Sequence, residues 1–185
     1  VAVDAAGSAY LAGSSYFPLD FQNPGPFDPT TVGHYQAFAL CLSPGGRAAE
    51  SITFFGGSGD EMGTAIAIDG GGNTYLAGST TSVDLPTQAG GVTAGGALAF
   101  DTTHEGNDDL FLVKLDATGR QVTYATYLGG EGRERARDVA VDGTGNAYVA
   151  GWTESPDFPA TQGAWQTGHT GRSGFLVKVN APGTG

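Results

Sequence analysis

The sequence predicts an all-β fold built from repeated four-stranded antiparallel units. Three segments beginning at Val1, Ile66 and Val139 share the pattern [VI]-A-[VI]-D-x-x-G-[NS]-x-Y-[LV]-A-G. Short runs rich in Val, Tyr, Phe and Thr alternate with turns rich in glycine, which accounts for 32 of the 185 residues, as in β-proteins with many tight turns. No stretch shows sustained helical periodicity, so the repetition indicates a β repeat architecture.

Strands A and B of each unit are the first four and the last five residues of this shared pattern. The intervening Asp-x-x-Gly-Asn/Ser predicts a hairpin turn, since glycine readily adopts a positive φ. The aspartates of these turns, Asp4, Asp69 and Asp142, are interpreted as Asx-turn residues whose side chains bind nearby backbone groups.

Strand C follows a connection of variable length and alternates in polarity. Phe111, Val113 and Leu115 share one face, and Leu112 and Lys114 share the other. In the first unit, Cys41 lies on the face opposite Phe38, Leu40 and Leu42, where a half-buried thiol acts as a small hydrophobe.

Strand D is SITFF in the first unit and VTYATYL in the second, and each copy ends at a glycine pair. The third unit shows strands A to C only, which gives eleven strands in all. A short helical turn is also predicted at 133–138, where charged residues precede the third strand A.

Four-stranded antiparallel units of this length are typical of β-propeller blades, with a β-sandwich as the alternative architecture. The predicted blades cover residues 1–64, 65–137 and 138–185, and the last blade lacks its fourth strand. About two and three-quarter blades do not close a propeller. We therefore expect either a longer chain or neighbouring chains to supply the remaining strands.

The repeats resemble the bacterial SBBP-type β-propeller repeat. The resemblance is carried by D-x-x-G-N-x-Y-x-x-G at 69–78 and 142–151, by D-L/F-P at 84–86 and 157–159, and by the F-L-V-K and T-Y-L-G-G-x-G strands. The A–B hairpins alone are also similar to NHL repeats. This resemblance implies an extracellular or cell-surface setting in a bacterium.

Charge and composition exclude several classes of partner. The chain has 19 acidic and 8 basic residues, for a formal net charge of −11. It therefore lacks the cationic surface that a nucleic-acid binder needs, and that class of protein is excluded. No apolar run reaches the roughly 18 residues of a membrane-spanning helix, so no membrane insertion is expected. One cysteine excludes an intrachain disulfide framework and a cysteine-based zinc site.

The candidate binding face is formed by the connections between strands B and C and between strands D and A, because loops on a rigid scaffold usually carry binding residues. We place the B–C connections at about 14–36, 80–109 and 153–173, and the D–A connections at 56–64 and 129–138. The candidate binding residues in these connections are Tyr16, His34, Tyr35, His104, Glu131, Arg133, Arg135, Trp165 and His169.

Each group of candidates has an alternative interpretation. The histidines suit a metal or acid–base cluster, but their unequal distances from strand C favour ordinary surface histidines. The acidic groups Asp60, Glu61, Asp108 and Asp109 offer oxygen ligands for Ca²⁺, yet without calcium-loop spacing they are expected to be solvated loop charges. No other cofactor is predicted.

The basic and aromatic candidates suit macromolecular contacts. The cluster at 133–137 could pair with a partner or an acidic glycan, or its charges could pair with one another on the surface. Trp165, with Tyr16, Phe17 and Tyr35 in another B–C connection, suits sugar stacking or a protein anchor. Packing of the long connections onto the blades is the alternative.

The predicted function is that of a non-enzymatic, secreted or cell-surface scaffold that binds a protein or glycan through its B–C and D–A connections. One alternative is a structural subunit of an extracellular assembly, whose exposed blade edges pair with neighbouring chains. Another is part of a larger propeller enzyme acting on glycans. No G-x-S-x-G, Walker A or H-E-x-x-H motif supports an enzyme, and fold alone does not choose between these classes.

Overall fold

The computed structural model describes residues 1–16, 34–87, 101–161 and 163–183. Its regular structure is entirely β. Eleven strands occur in these ranges: β1 (Ala2–Val3), β2 (Ala9–Ser15), β3 (Gln36–Leu42), β4 (Ala49–Phe55), β5 (Glu61–Ile68), β6 (Thr74–Thr80), β7 (Asp109–Leu115), β8 (Val122–Leu128), β9 (Glu134–Val141), β10 (Ala147–Thr153) and β11 (Ser173–Val179). The described ranges contain no helix with the length and hydrophobicity of a membrane-spanning segment.

The strands form three antiparallel sheets, which we call blades 1, 2 and 3. Blade 1 contains β1–β4, blade 2 contains β5–β8 and blade 3 contains β9–β11, and within each blade every strand pairs with the next one along the chain. This arrangement confirms the prediction of two four-stranded blades followed by a three-stranded one, in a β-propeller segment.

The sequence repeat is also a repeat of strand register. In every blade, the last glycine of the shared pattern on the second strand lies opposite the first phenylalanine of the third strand. These pairs are Gly13–Phe38, Gly78–Phe111 and Gly151–Phe175. Positions in one blade can therefore be compared directly with positions in the next.

Blade 2 lies between the other two blades and is buried on both faces. Phe111 and Val113 of β7 belong to a core cluster with Phe55 of blade 1, and the Phe55 and Phe111 ring centroids are 5.3 Å apart. On the opposite face, Leu112 belongs to a second cluster with Val149 of blade 3. The predicted alternation of strand C is confirmed, and each of its faces contacts a different blade.

The first strands of blades 2 and 3 begin earlier than predicted. β5 begins at Glu61 rather than Ile66, and β9 begins at Glu134, so the connections before them are shorter than 56–64 and 129–138. The helical turn predicted at 133–138 is wrong, because β9 remains paired with β10 from Val141 back to Glu134, across a register shift.

Two further predictions concern side-chain position. Cys41 is buried, on the face of β3 that also buries Ala37 and Ala39, as predicted for a small hydrophobe. Parts of the long B–C connections, 17–33 and 88–100, lie outside the described residues, and Phe17 is among them.

Candidate functional site

The aspartate of each A–B turn organises the turn itself. Oδ1 of Asp69 accepts hydrogen bonds from the backbone N–H groups of Gly71 and Asn73, both at 2.9 Å. Asp4 and Asp142 make the equivalent bonds in blades 1 and 3. The predicted Asx turns are confirmed, so these carboxylates have a structural role.

A buried glutamate stands at the start of blade 2. Glu61 is 0% exposed, and its Oε1 accepts hydrogen bonds from the hydroxyls of Thr80 at 2.8 Å and Ser82 at 2.5 Å. Its Oε2 accepts the N–H of Gly57 at 3.1 Å. Burial raises the pKa of Glu61. We call these four residues the Glu61 network.

Blade 3 repeats this arrangement. Oε1 of Glu134, which is also 0% exposed, accepts hydrogen bonds from Thr153 at 2.6 Å and Ser155 at 2.5 Å, and Oε2 accepts the N–H of Gly130 at 3.4 Å. The repeated glutamate therefore joins the connection that enters a blade to the end of that blade's second strand. Buried polar groups need such partners, which explains why the hydroxyl residues recur with the glutamate.

The same contacts explain the glycines of the Gly-Gly-x-Gly segment. In blade 2, the N–H of Gly59 donates to Ser82 Oγ at 2.7 Å, and the N–H of Ser58 donates to Asp84 Oδ1 at 2.8 Å. A Cβ on Gly57 would lie 2.4 Å from Asp84 Oδ1 and 2.7 Å from Ser82 Cβ. The aspartate of the D-L/F-P element thus anchors the preceding connection.

A second buried acid accompanies Glu134. Asp109 is 0% exposed, its Oδ2 accepts the N–H of Glu105 at 2.9 Å, and its Oδ1 has no hydrogen-bond partner. Burial, with the nearby negative charge of Glu134 adding to it, raises the pKa of Asp109 to about 7. At the same position in blade 1 stands Gln36, a neutral amide that donates to the carbonyl of Gly57.

Asp109→Asn is expected to weaken the dependence of stability on pH. Because its pKa is raised, Asp109 stabilises the folded state fully below about pH 4, and this stabilisation is lost as pH rises through about 7. Between pH 4.5 and 7.5 the free energy of unfolding should fall by about 2–4 kcal/mol less in the variant than in the parent, because each pKa unit corresponds to about 1.4 kcal/mol. Urea unfolding at the two pH values measures this difference, and an equal loss in both proteins would contradict it.

The four acidic candidates for calcium binding occupy different environments. Glu61 and Asp109 are buried, so the expectation that they are solvated loop charges is wrong for both. Asp60 accepts a hydrogen bond from the N–H of Tyr35 at 2.8 Å, and Asp108 forms ion pairs with Arg133 and Arg135. Among the described residues, no three acidic, histidine or cysteine side chains come together as a metal ion would require. Calcium binding stays a prediction.

Asp108 forms ion pairs with two arginines of the basic cluster at 133–137. Asp108 Oδ2 lies 3.5 Å from Arg133 Nε and 3.0 Å from Arg135 Nη2. Glu131, also predicted to belong to the binding face, donates its backbone N–H to Asp157. Arg133 and Arg135 therefore tie the B–C connection of blade 2 to the start of blade 3.

The aromatic and histidine candidates of blade 1 lie together. The rings of Tyr16 and Tyr35 meet edge to face with centroids 5.3 Å apart, and His34 Nδ1 lies 3.6 Å from Asp60 Oδ1. Both tyrosines are partly exposed. The group is a small exposed aromatic patch on the connection face.

The other two histidines have different surroundings. His104 meets the ring of Tyr127 edge to face at 5.9 Å, and His169 Nδ1 lies 2.8 Å from the carbonyl oxygen of Gly171. The contacts of His34, His104 and His169 thus lie in separate blades. Within the described part of the chain, these contacts do not bring the three histidines together, as the alternative of a metal or acid–base cluster requires.

An exposed apolar surface lies beside β11 in the described part of the chain. A groove of about 500 Å³ is lined by residues that include Phe158, Trp165, His169, Phe175 and Leu176. Trp165 is fully exposed and Leu176 is 70% exposed, while the rings of Phe158 and Phe175 stack with centroids 4.7 Å apart. The structure thus brings together Trp165 and His169 of the predicted candidates.

The groove also has a distinctive charge character. Among the residues that the structure describes, its lining contains Lys178 but no aspartate or glutamate, although the chain as a whole carries a net charge of −11. Lys178 Nζ lies over the ring of Tyr148 at 5.5 Å from its centroid. The groove is therefore an apolar surface with a cationic end on an otherwise acidic protein.

Sequence reasoning missed the two buried networks and most of the groove. The networks had a detectable signal, since G-G-x-G-x-E and T-x-S recur together at 56–61 with 80–82 and at 129–134 with 153–155. The groove had none beyond Trp165 and His169, because Phe158 and Leu176 occupy positions that are buried in blade 2, at Leu85 and Leu112.

Comparison with known proteins agrees with the fold. A family model described as SBBP, a beta-propeller repeat, matches residues 123–159. This segment runs from β8 through β10 to the D-F-P element and contains Glu134 and its three hydrogen-bond partners, Gly130, Thr153 and Ser155. A search of curated proteins returned no match to the chain.

Proposed function

We propose that this chain, which contains an SBBP beta-propeller repeat, is a non-enzymatic scaffold that binds a protein segment in the groove beside β11. The observation that carries the proposal is the joint exposure of Trp165 and Leu176 along an apolar groove of about 500 Å³. Large exposed apolar surfaces with an aromatic anchor are typical of protein interaction sites.

The lining of the groove suits a protein segment. Phe158, Phe175 and Leu176 offer apolar contact area, and polar side chains among the lining residues, which include Thr161, Gln166 and His169, can bind backbone groups of the segment. Lys178 offers a charge partner for an acidic or carboxylate group on the bound segment. We extend the proposal to an extracellular or cell-surface setting, which is supported only by the resemblance to the bacterial repeat.

The acidic and basic groups of the rest of the connection face bind one another. Glu61 and Glu134 accept hydrogen bonds within their blades, and Arg133 and Arg135 pair with Asp108. These five residues lie outside the lining of the groove, so the proposal does not assign them to the binding site.

Trp165→Ser combined with Leu176→Glu is expected to lower the binding of groove ligands at least tenfold. Both side chains are exposed, so their replacement removes apolar contact area without disturbing the core. The probe is a library of random 12-residue peptides displayed on phage and selected on the immobilised full chain. Recovery of the selected peptides is then compared between the parent and the double variant.

Val83→Ala is the matched control, because Val83 is an exposed valine in the equivalent connection of blade 2. It should leave peptide recovery unchanged, and thermal unfolding should show that both variants remain folded. The proposal fails if no peptide is selected, if the double variant binds as well as the parent, or if an array of glycans binds the groove instead.

A further inference from the structure

The junction between blades 2 and 3 buries two carboxyl groups. Asp109 begins β7 and Glu134 begins β9, and both side chains are 0% exposed. The backbone N–H of Glu134 donates to the carbonyl of Asp108 at 2.9 Å, which places the starts of these two strands side by side. Burial and the charge of a neighbouring acid both disfavour ionisation, so such a pair tends to hold a proton.

The hydrogen bonds of the two acids indicate where that proton lies. Oδ2 of Asp109 accepts the N–H of Glu105 at 2.9 Å, whereas Oδ1 is buried and has no partner among the described residues. On Glu134, Oε1 accepts two hydroxyls, while Oε2 accepts only the N–H of Gly130 at 3.4 Å. A protonated Oδ1 can donate a hydrogen bond in a buried place where an ionised one lacks a donor.

The equivalent junction between blades 1 and 2 has an amide in place of the second acid. Gln36 begins β3 as Asp109 begins β7. A Cβ on Gly56 would collide with Oε1 of Gln36 and Oε2 of Glu61, so these two side chains meet beside this glycine. In the next junction, a Cβ on Gly129 would lie 2.7 Å from Oδ1 of Asp109. The same position is thus a neutral amide in one junction and a titratable acid in the other.

The surroundings of Asp109 favour its protonated form. The titratable groups that face it are Glu134 on β9, Asp101 and Glu105 in the connection before β7, and Tyr127 on β8. Burial is the main cause that raises the pKa of Asp109 to about 7, and the nearby acids add to it. Arg133 and Arg135 pair with Asp108 instead.

We propose that Asp109 and Glu134 share one proton and that loss of this proton opens the junction between blades 2 and 3 locally. The proton lies on Oδ1 of Asp109 and passes to the solvent as pH rises. Two negative charges then remain in the closed junction, and hydration of Asp109 relieves their repulsion. The connection at 101–109 therefore separates from blade 3, to which the N–H of Asn107 and the carbonyl of Asp108 bind it. The connection face is more tightly held in acid than at neutral pH.

Hydrogen exchange of the full chain, resolved for single amides by NMR at pH 4.5 and 7.5, tests this inference. The relevant amides are those of Asn107, which donates to Gly132 at 3.0 Å, and Glu134. After correction for intrinsic exchange rates, their protection should fall at least tenfold, because the open junction releases the proton at lower pH than the closed one. The Glu61 amide, which donates to the carbonyl of Tyr35 at 2.7 Å in the equivalent junction, should change less than threefold.

Exchanging residues between the two junctions isolates the effect of the shared proton. Asp109→Gln places the blade 1 residue in the second junction and should reduce the fall at Asn107 and Glu134 to less than threefold, as should the smaller Asp109→Asn. Gln36→Asp should produce a fall of at least tenfold at the Glu61 amide. Thermal unfolding at both pH values checks that each variant is folded.

Two results would overturn the inference, and neither depends on a ligand in the groove. One is an equal fall in protection at Glu61 in the parent protein, which indicates global destabilisation. The other is an unchanged fall at Asn107 and Glu134 in folded Asp109→Gln and Asp109→Asn, which assigns the pH dependence to another group.

Discussion

Glu61→Ala is expected to destabilise the protein by about 3–5 kcal/mol. The change leaves the hydroxyls of Thr80 and Ser82 and the N–H of Gly57 without their acceptor in a fully buried site, and each buried polar group without a partner costs about 1–3 kcal/mol. Denaturant unfolding followed by tryptophan fluorescence measures the loss.

The matched control for this change is Glu131→Ala, which removes an exposed glutamate side chain from the equivalent connection of the next blade. Its effect should remain within about 0.5 kcal/mol. Glu61→Gln keeps one acceptor oxygen and should fall between the two. A Glu61→Ala protein as stable as Glu131→Ala would show that the network does not hold the blade together.

Gly78→Ala is expected to be the most damaging single-methyl change in blade 2. A Cβ at this position would lie 2.2 Å from the carbonyl oxygen of Met62 and 2.6 Å from the ring of Phe111, so β5 and β7 must both move away from β6. Such overpacking typically costs 1–3 kcal/mol and sometimes more, and we expect a loss of about 3 kcal/mol by denaturant unfolding.

Gly70→Ala provides the comparison, because no atom lies within 4 Å of a Cβ at Gly70 and its φ is not positive. The free energy of unfolding of that variant should lie within about 0.5 kcal/mol of the parent's value. If Gly78→Ala behaved in the same way, the close approach of β5 and the Phe111 ring to this glycine would be refuted.

Much of the fold was predictable because each blade repeats the same local chemistry. The Asp-x-x-Gly-Asn/Ser turns fix the A–B hairpins, and the alternation around Phe111 gives the two faces of the third strand. All eleven strands were identified for this reason. The early start of β9 was missed, because the charged stretch at 133–138 lacks the apolar alternation by which strands are recognised.

The burial of Glu61 and Glu134 was not predictable from residue type. Glutamates are rarely buried without partners, and the hydroxyl partners lie about 20 residues further along the chain, where only folding brings them into contact. Trp165 was recognised as a candidate, but the groove also depends on Phe158 and Leu176, which are more exposed than their blade 2 counterparts Leu85 and Leu112.

Hydrogen exchange of the full chain, with and without a phage-selected groove peptide, tests most directly whether the protein binds a segment in the groove beside β11. The account predicts that saturating peptide slows backbone amides of the groove lining within 164–169 and 173–178 at least tenfold. Unchanged exchange in these two ranges under saturating peptide, or protection confined to another part of the chain, would contradict it.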